Sequence, residues 1–378
     1  MTDRELLLRL EQENKALRAE LRRPKKDPAA ETLYTENKAL RSEVRKLERA
    51  LLPLRAAEER RVIIAERLSR SAGTTVAKWE APRGKSDRNG PGTPTLLISD
   101  LHVNESVDPR QVLGANAFSP ARAKTRLEAC FRTAVDLGLN HMVKPSYHGI
   151  VVPVLGDLLD LLGGLFHRSE RSADPIGLDA AAMCADLLEP GFRLLADAYG
   201  SVRSPWVTGN HGRYMLEMPF QDRSAKSLDA AVFHILEGRL RGDKRFQFEL
   251  APGPRLIYTV EGVRFLALHG DPASGMPRGG DSEAGAANLV ARGVKRLRSL
   301  HLQIGMPFDV AVMGHFHTEM RLPGALVNGS LPGYGEYSFG RAFPYEPPKQ
   351  LLFFTHPRMG ITCSWPLYVA HGEKRAAA

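Results

Sequence analysis

No stretch of this sequence approaches the roughly 20 uncharged apolar residues that a membrane-spanning helix requires. Its N-terminus mixes acids and arginines with leucines, where a secretion signal would place an apolar core. Both absences lead us to expect a cytoplasmic protein with no membrane association. Cysteine is scarce as well. Cys130, Cys184 and Cys363 are far apart, odd in number and without a CxxC spacing, which excludes a disulfide framework and a thiolate zinc site. We expect them to be buried apolar side chains. Net charge adds little: 52 basic residues against 43 acidic ones leave +9. The first 70 residues hold 18 basic and 13 acidic side chains, so more than half of the excess lies outside the main domain. It is a weak pointer to a nucleic-acid partner.

What the chain does have is the length, 378 residues, and the 43% hydrophobic composition of a protein with a substantial core. Ahead of that core runs a heptad seam. Apolar residues recur at spacings of three and four, through Leu7, Leu10, Asn14, Leu17 and Leu21, then Leu33, Asn37, Leu40, Val44, Leu47, Leu51 and Leu54. The hexapeptide ENKALR occurs twice, each time placing an asparagine (Asn14, Asn37) at an a position. A buried asparagine there favours a parallel, two-stranded partner in register, so residues 1–70 predict an α-helical coiled coil and a homodimer. Pro24, Asp27 and Pro28 break the seam, which favours two short coiled segments over one rod. An amphipathic hairpin packed on its own main domain is the alternative. Residues 71–95 shift to Gly, Pro, Ser and Thr and read as a flexible linker.

From residue 96 to 378, short apolar runs alternate with helical patterns. Buried strands are expected at residues 95–99, 150–155, 205–207, 263–268 and 310–313. Helices are expected at 120–139, 178–199, 227–240 and 283–302, the first with Ser119 as cap and Pro120 at its first position. Residues 246–250 and 256–260 suggest a hairpin-like pair, and 350–355 with 360–369 suggest closing strands. The class is α/β: layered mixed β-sheets flanked by helices.

Each of the five buried strands ends in polar residues able to bind metal. The clusters are Asp100-Leu101-His102, Gly156-Asp157-Leu158-Leu159-Asp160, Gly209-Asn210-His211, His269-Gly270-Asp271 and Gly314-His315-Phe316-His317. One Asp or His after a strand is usually a turn former. Five together, all in strand-end contexts, point to a site, because ligands collect beyond the carboxyl ends of strands in α/β sheets.

The ordered set D-x-H, G-D-x-x-D, G-N-H, H-G, G-H-x-H resembles the calcineurin-like metallophosphoesterases over roughly residues 96–330. The resemblance implies that Asp100, His102 and His317 hold one divalent cation, that Asn210, His269 and His315 hold a second, and that Asp157 bridges them. It implies hydrolysis of phosphoester bonds by a hydroxide shared between two cations. Imidazole, carboxylate and amide donors without thiolate suit Mn, Fe, Zn or Ni. His211 is expected to contact the phosphate or protonate the leaving oxygen. The family usually carries Asp or Glu after this histidine, whereas this chain has Gly212, and Asp160 is the substitute at hand. Asp160 is otherwise expected to hydrogen-bond a histidine from behind or to cap a turn.

Other positions carry weaker expectations. Asp271 reads as a turn residue and Arg213 as a phosphate contact. Asn328-Gly329-Ser330 reads as a loop returning beside the metals, not as a glycosylation site, and Gly333-Tyr334-Gly335-Glu336-Tyr337 as packing in preference to base stacking. Basic residues at 239–245 and 292–298 fit a nucleic-acid surface or a solvated helix face equally well. The leading expectation is a two-metal phosphoester hydrolase, in its sharper form a phosphodiesterase or nuclease. The competing one is a non-catalytic scaffold built from the same domain and the coiled coil. Complete ligand motifs favour the enzyme.

Overall fold

The computed structural model describes residues 92–142, 147–160, 172–173, 177–214, 221–277, 283–371 and 373, with isolated helical positions at 12, 15, 40–44 and 46. Apart from those isolated positions, the expected coiled coil and most of the linker fall outside these residues. The chain divides into two compact units, Met1–Thr74 and Thr75–Ala378, and the sheets with their flanking helices lie in the second.

Strands β1 (Thr93–Leu96) and β2 (Glu105–Ser106) precede helix α1 (Pro120–Asn140); β3 (Ile150–Val151) and β4 (Ser172–Ala173) precede α2 (Gly177–Tyr199). Strand β5 (Val202–Trp206) leads to α3 (Leu228–Leu240), and β6 (Phe246–Leu250), β7 (Arg255–Val260) and β8 (Val263–Leu268) lead to α4 (Glu283–Gln303). Then come β9 (Val310–Met313), β10 (Met320–Leu322), β11 (Ala325–Val327), the short α5 (Glu336–Gly340), β12 (Lys349–His356) and β13 (Gly360–Tyr368).

Two mixed sheets result, one ordered β13-β12-β1-β3-β5-β6 and the other β10-β11-β9-β8-β7. They meet face to face through Leu97, Leu155, Val207, Tyr258, Phe265, Val312, Leu351 and Phe353. Along β8 the alternation is visible residue by residue. Phe265 and Ala267 point between the sheets, while Leu266 and Leu268 pack with Val290, Val294 and Leu297 of α4. Where a strand is covered on both faces it must be apolar, which is why Phe265–Leu268 is a continuous apolar run, whereas Arg264 at the open end pairs with Asp309. On the far side of the other sheet, Phe192 of α2 and Phe233 of α3 sit with ring centroids 5.8 and 6.1 Å from Phe248 of β6.

Local chemistry sets the boundaries. Ser119 caps α1, accepting from the Arg122 amide at 3.4 Å, and Pro120 opens the helix without a wasted N–H. Pro153 has no amide hydrogen, so β3 is interrupted after Val151 and pairing resumes at Val154, which bridges Ile98 and Trp206. No helix among the described residues is long and apolar enough to cross a membrane.

Three expectations need correction. The linker ends before residue 95, because Thr93 and Pro94 already pair with Thr355 and Phe354 of β12. Residues 246–250 and 256–260 do not pair with each other: β6 runs parallel to β5 at the edge of the first sheet, and β7 pairs antiparallel with β8 in the second. The hairpin is β7–β8, closed by Glu261 and Gly262 with φ of 49° and 82°, the left-handed pair of a two-residue turn. Cys130 and Cys184 are buried, but Cys363 is only partly so, because it sits on edge strand β13.

Candidate metal centre

All five polar clusters lie just beyond strand ends, and their turns hydrogen-bond one another. Asp100 N donates to Gly156 O at 3.0 Å, His102 N to Asp157 O at 3.2 Å and Gly314 N to His269 O at 2.9 Å. Gly314 and Gly156 are needed for this closeness. A Cβ on Gly314 would lie 2.1 Å from Asp100 Oδ2, and one on Gly156, whose φ is 88°, would lie 2.2 Å from Gly209 N. Five of the expected ligands, Asp100, His102, Asp157, His315 and His317, have φ between 39° and 72°, the left-handed region.

Two donor groups form. Asp100, His102 and His317 offer atoms within 4.8 Å of one another, and so do Asp157, His269 and His315. Asn210 joins the second group, its Oδ1 lying 3.0 Å from His269 Nε2. All seven residues expected as ligands are therefore brought together. A third group of the same compactness is His102, Asp160 and His211.

The imidazole orientations test whether cations fit. His269 Nδ1 lies 2.7 Å from Leu155 O, and a carbonyl oxygen can only accept, so Nδ1 carries the hydrogen. In the neutral ring Nε2 then presents a lone pair, facing Asn210 Oδ1 at 3.0 Å and Asp157 Oδ2 at 2.9 Å. Three acceptors around one point require a proton or a cation between them. His102 repeats the pattern: Nδ1 faces Asp160 Oδ2 at 3.1 Å, and Nε2 faces His317 Nε2 at 3.3 Å. His317 Nε2 in turn lies 3.4 Å from Asp100 Oδ1. An oxygen acceptor behind Nδ1, with Nε2 turned to the donor cluster, is in both rings the arrangement of metal-binding histidines. The donor set fits divalent cations.

Charge balance points the same way. Burial raises the Asp157 pKa, but charge on His269 and His211 outweighs it and holds the carboxyl well below the usual range. Asp160 is likewise held well below that range, burial being overcome by His102 and His211. Burial lowers the pKa of His269, yet Asp157 and Asp100 raise it to about 10. Burial and the neighbouring His269 push His315 down to about 4. The carboxylates thus stay ionised and demand positive charge, which protonated imidazoles, His269 foremost, supply in the protein alone.

Most of these side chains are buried, whereas those of His211 and His317 are 14% and 23% exposed and mark the open side. His211 Nδ1 lies 2.5 Å from Asp160 Oδ1. Asp160 therefore stands behind both His102 and His211, and the ring of His211 is oriented despite Gly212. Asn104 fixes Asp160 in turn, donating to its carbonyl at 2.7 Å and accepting from its amide at 2.9 Å. Arg213 is half-buried and donates to the Asn210 carbonyl.

Asp271 caps the turn Pro272–Ser274, as expected, but also forms a buried two-pronged pair with Arg223, at 2.9 and 3.0 Å. Arg223 gave no sequence signal, being one arginine among many. Asp229 was equally hidden, since an acid in the first turn of a helix is commonplace. Its carboxylate accepts from the amides of Gly209, Asp157 and Leu158, and burial with the nearby Asp157 raises its pKa to about 6. Asn328 is fully buried and donates to Ser99 Oγ at 2.9 Å and Gln350 Oε1 at 2.8 Å, while Leu331 N donates to Asp100 O at 3.0 Å. The 328–331 segment does return beside the site. In the aromatic loop Tyr334 packs against Phe339 and Tyr345, whereas Tyr337 is exposed.

The three arginines at 239–245 are engaged by acids: Arg239 with Asp186, Arg241 with Glu237, and Arg245 with Asp197 and Asp243, at 2.7–2.8 Å. They read as a solvated, ion-paired helix surface. Compared with known proteins, the chain matches no protein-family model and no curated protein.

Proposed function

We propose that this protein is a metal-dependent phosphoester hydrolase. Asp100, His102 and His317 would hold one divalent cation, Asn210, His269 and His315 a second, and Asp157 would serve both. One observation carries this reading: His269 Nε2 faces two oxygen acceptors while its Nδ1 is committed to Leu155 O. Nitrogen and oxygen donors without thiolate favour Mn, Fe, Zn or Ni. When bound, two such cations would neutralise phosphoryl charge and lower the pKa of a water towards neutrality.

The chain's own residues supply positioning and proton transfer. Asp160 receives the Nδ1 hydrogen of His211 and holds its ring at the open side. As imidazolium, His211 donates its Nε2 proton to the departing alkoxide oxygen while Asp160 stabilises the ring charge. Buried Asp100 and Asp157 keep the donor cluster anionic.

The test is hydrolysis of a phosphomonoester, a phosphodiester, and single- and double-stranded DNA with added Mn(II), beside Asp157→Asn. We expect turnover in the wild type and at least a thousandfold loss in the variant, with substrate preference separating phosphatase from nuclease. Equal rates in the two proteins refute the reading. Tight Mn(II) binding with no turnover on any substrate favours the scaffold.

A further inference from the structure

Asp160 orients the His211 ring, yet the position after His211 is Gly212, with no side chain of its own. The space beside Gly212 is nevertheless filled. A Cβ built there would lie 3.1 Å from Ser227 Oγ and 3.2 Å from Asp229 Oδ1. Asp229 arrives from the second residue of α3, whose cap Ser227 accepts from the Asp229 amide at 3.2 Å. Leu228 N donates to Gly212 O at 2.8 Å and ties the start of that helix to the turn.

An acid at this point of a helix ordinarily favours its own first amides. This one turns away from them. Its Oδ2 accepts from Gly209 N at 2.7 Å and Asp157 N at 3.1 Å, and its Oδ1 from Leu158 N at 3.1 Å. We propose that Asp229 is a positioning residue whose carboxylate occupies the space that a side chain on residue 212 would take. From there it clamps the Asp157 and Asn210 turns at the spacing cation binding needs, a role that rests on the metal-centre reading above.

The geometry gives the clamp something to hold. One anchored amide belongs to Asp157 itself, a residue with φ of 52° that needs restraint to stay left-handed. Another belongs to Gly209, directly before Asn210. Any slip between these turns moves Asp157 Oδ2 and Asn210 Oδ1 relative to each other, and both converge on His269 Nε2. Asparagine cannot take over, because its NH2 would face an amide N–H that has no other acceptor in place. With Asp229 truncated, residue 212 can take a side chain: its backbone lies outside the left-handed region, and the Ser227 hydroxyl, 3.1 Å from the new Cβ, has only to give by a few tenths of an ångström.

The experiment compares wild type, Asp229→Asn, Asp229→Ala and the double variant Gly212→Asp/Asp229→Ala. Mn(II) affinity is measured by calorimetry, amide exchange by mass spectrometry, and folding by circular dichroism. Replacing an outer partner of a metal ligand typically costs 10–100-fold in metal affinity. We expect a loss of that size in Asp229→Asn, with faster exchange confined to the segments holding Asp157, Leu158 and Gly209. In the double variant the new carboxylate enters the vacated space and recovers most of the affinity lost by Asp229→Ala. A purely structural role would not be rescued in this way. The proposal is overturned if folded Asp229→Asn binds Mn(II) like the wild type, or if the folded double variant binds no better than Asp229→Ala. Should Asp229→Ala fail to fold, Asp229→Asn decides. A wild type that binds no Mn(II) overturns the metal-centre reading as well, while one that binds but hydrolyses nothing leaves the clamp standing and removes only the enzyme.

Discussion

Replacing Arg223 by methionine keeps a stem of similar length and removes only the guanidinium, so it isolates the buried ion pair behind the candidate centre. The Arg223 and Asp271 side chains are 2% and 1% exposed. The guanidinium donates to both Asp271 oxygens, at 2.9 and 3.0 Å, and twice to Thr208 O, at 2.9 and 3.2 Å. It thus joins the turn before Asn210 to the turn after His269. Without it Asp271 keeps the Ala273 amide at 3.2 Å, too little to compensate a buried charge. Breaking one partner of such a pair costs about 3–5 kcal/mol. At roughly 2–4 °C per kcal/mol, the melting temperature should fall on the order of 10 °C. Urea unfolding followed by tryptophan fluorescence is the assay, because Trp206 is buried on β5 with Nε1 donating to Ser204 Oγ at 2.7 Å. The variants Asp271→Asn and Arg223→Met/Asp271→Asn complete a double-mutant cycle. If the pair is the unit, the double variant costs far less than the sum of the singles. A single-variant loss below about 1 kcal/mol, or strict additivity, would refute the argument.

Acid should expose the same pair. Burial raises the Asp271 pKa, but Arg223 outweighs it and the folded value lies below the ordinary 3.8. A depressed carboxyl pKa contributes stability above the unfolded value that is lost as pH falls through the folded one. Wild-type stability should therefore drop below about pH 4 more steeply than that of Arg223→Met, as pH-dependent urea midpoints would show. For Asp160→Asn, we expect a 10²–10⁴-fold loss of turnover, the range of general acid catalysis, together with weaker Mn(II) binding through His102; unchanged turnover would remove Asp160 from the mechanism. Gly314→Ala places a methyl 2.1 Å from Asp100 Oδ2, so cation affinity should fall while the sheets persist by circular dichroism. By light scattering, a chain starting at Ser71 should be monomeric and the full chain dimeric; the same oligomeric state for both would remove the heptad argument.

Where local chemistry decides, the fold was legible. The expected helices at 120–139, 178–199, 227–240 and 283–302 appear within one residue at each end, since their caps and apolar stripes are properties of neighbouring residues. Strand partners are a different matter. Residues 246–250 and 256–260 show the right period, but period alone does not say which sheet receives a strand. The two-residue turn Glu261-Gly262 between Val260 and Val263 was the available signal for the true hairpin. The grouping of the candidate ligands was legible for a related reason: Asp, Asn and His at strand ends are rare enough in combination to stand out. Arg223 and Asp229 were not, because a surface arginine and a helix-capping acid look the same in sequence until the chain closes on them.

What those residues support is a strained arrangement. Among the described residues nine non-glycine positions have positive φ, and five of them are expected ligands. Each such residue costs of order 1 kcal/mol or more, so the cluster consumes a sum comparable with the net stability of a domain. It persists only if the surroundings over-determine it. They do so mutually: His315 N donates to both Asp100 oxygens, Asp100 N to Gly156 O, His102 N to Asp157 O, and His211 N to Asp157 Oδ1. Asp229 and Arg223–Asp271 tie the same turns from behind. No turn is held by its own residues alone. The left-handed backbone turns these side chains back towards a common point instead of out along their strands. Strain and donor convergence are therefore one feature: a substitution that relaxes any of these turns disperses the donors, even where it touches no ligand.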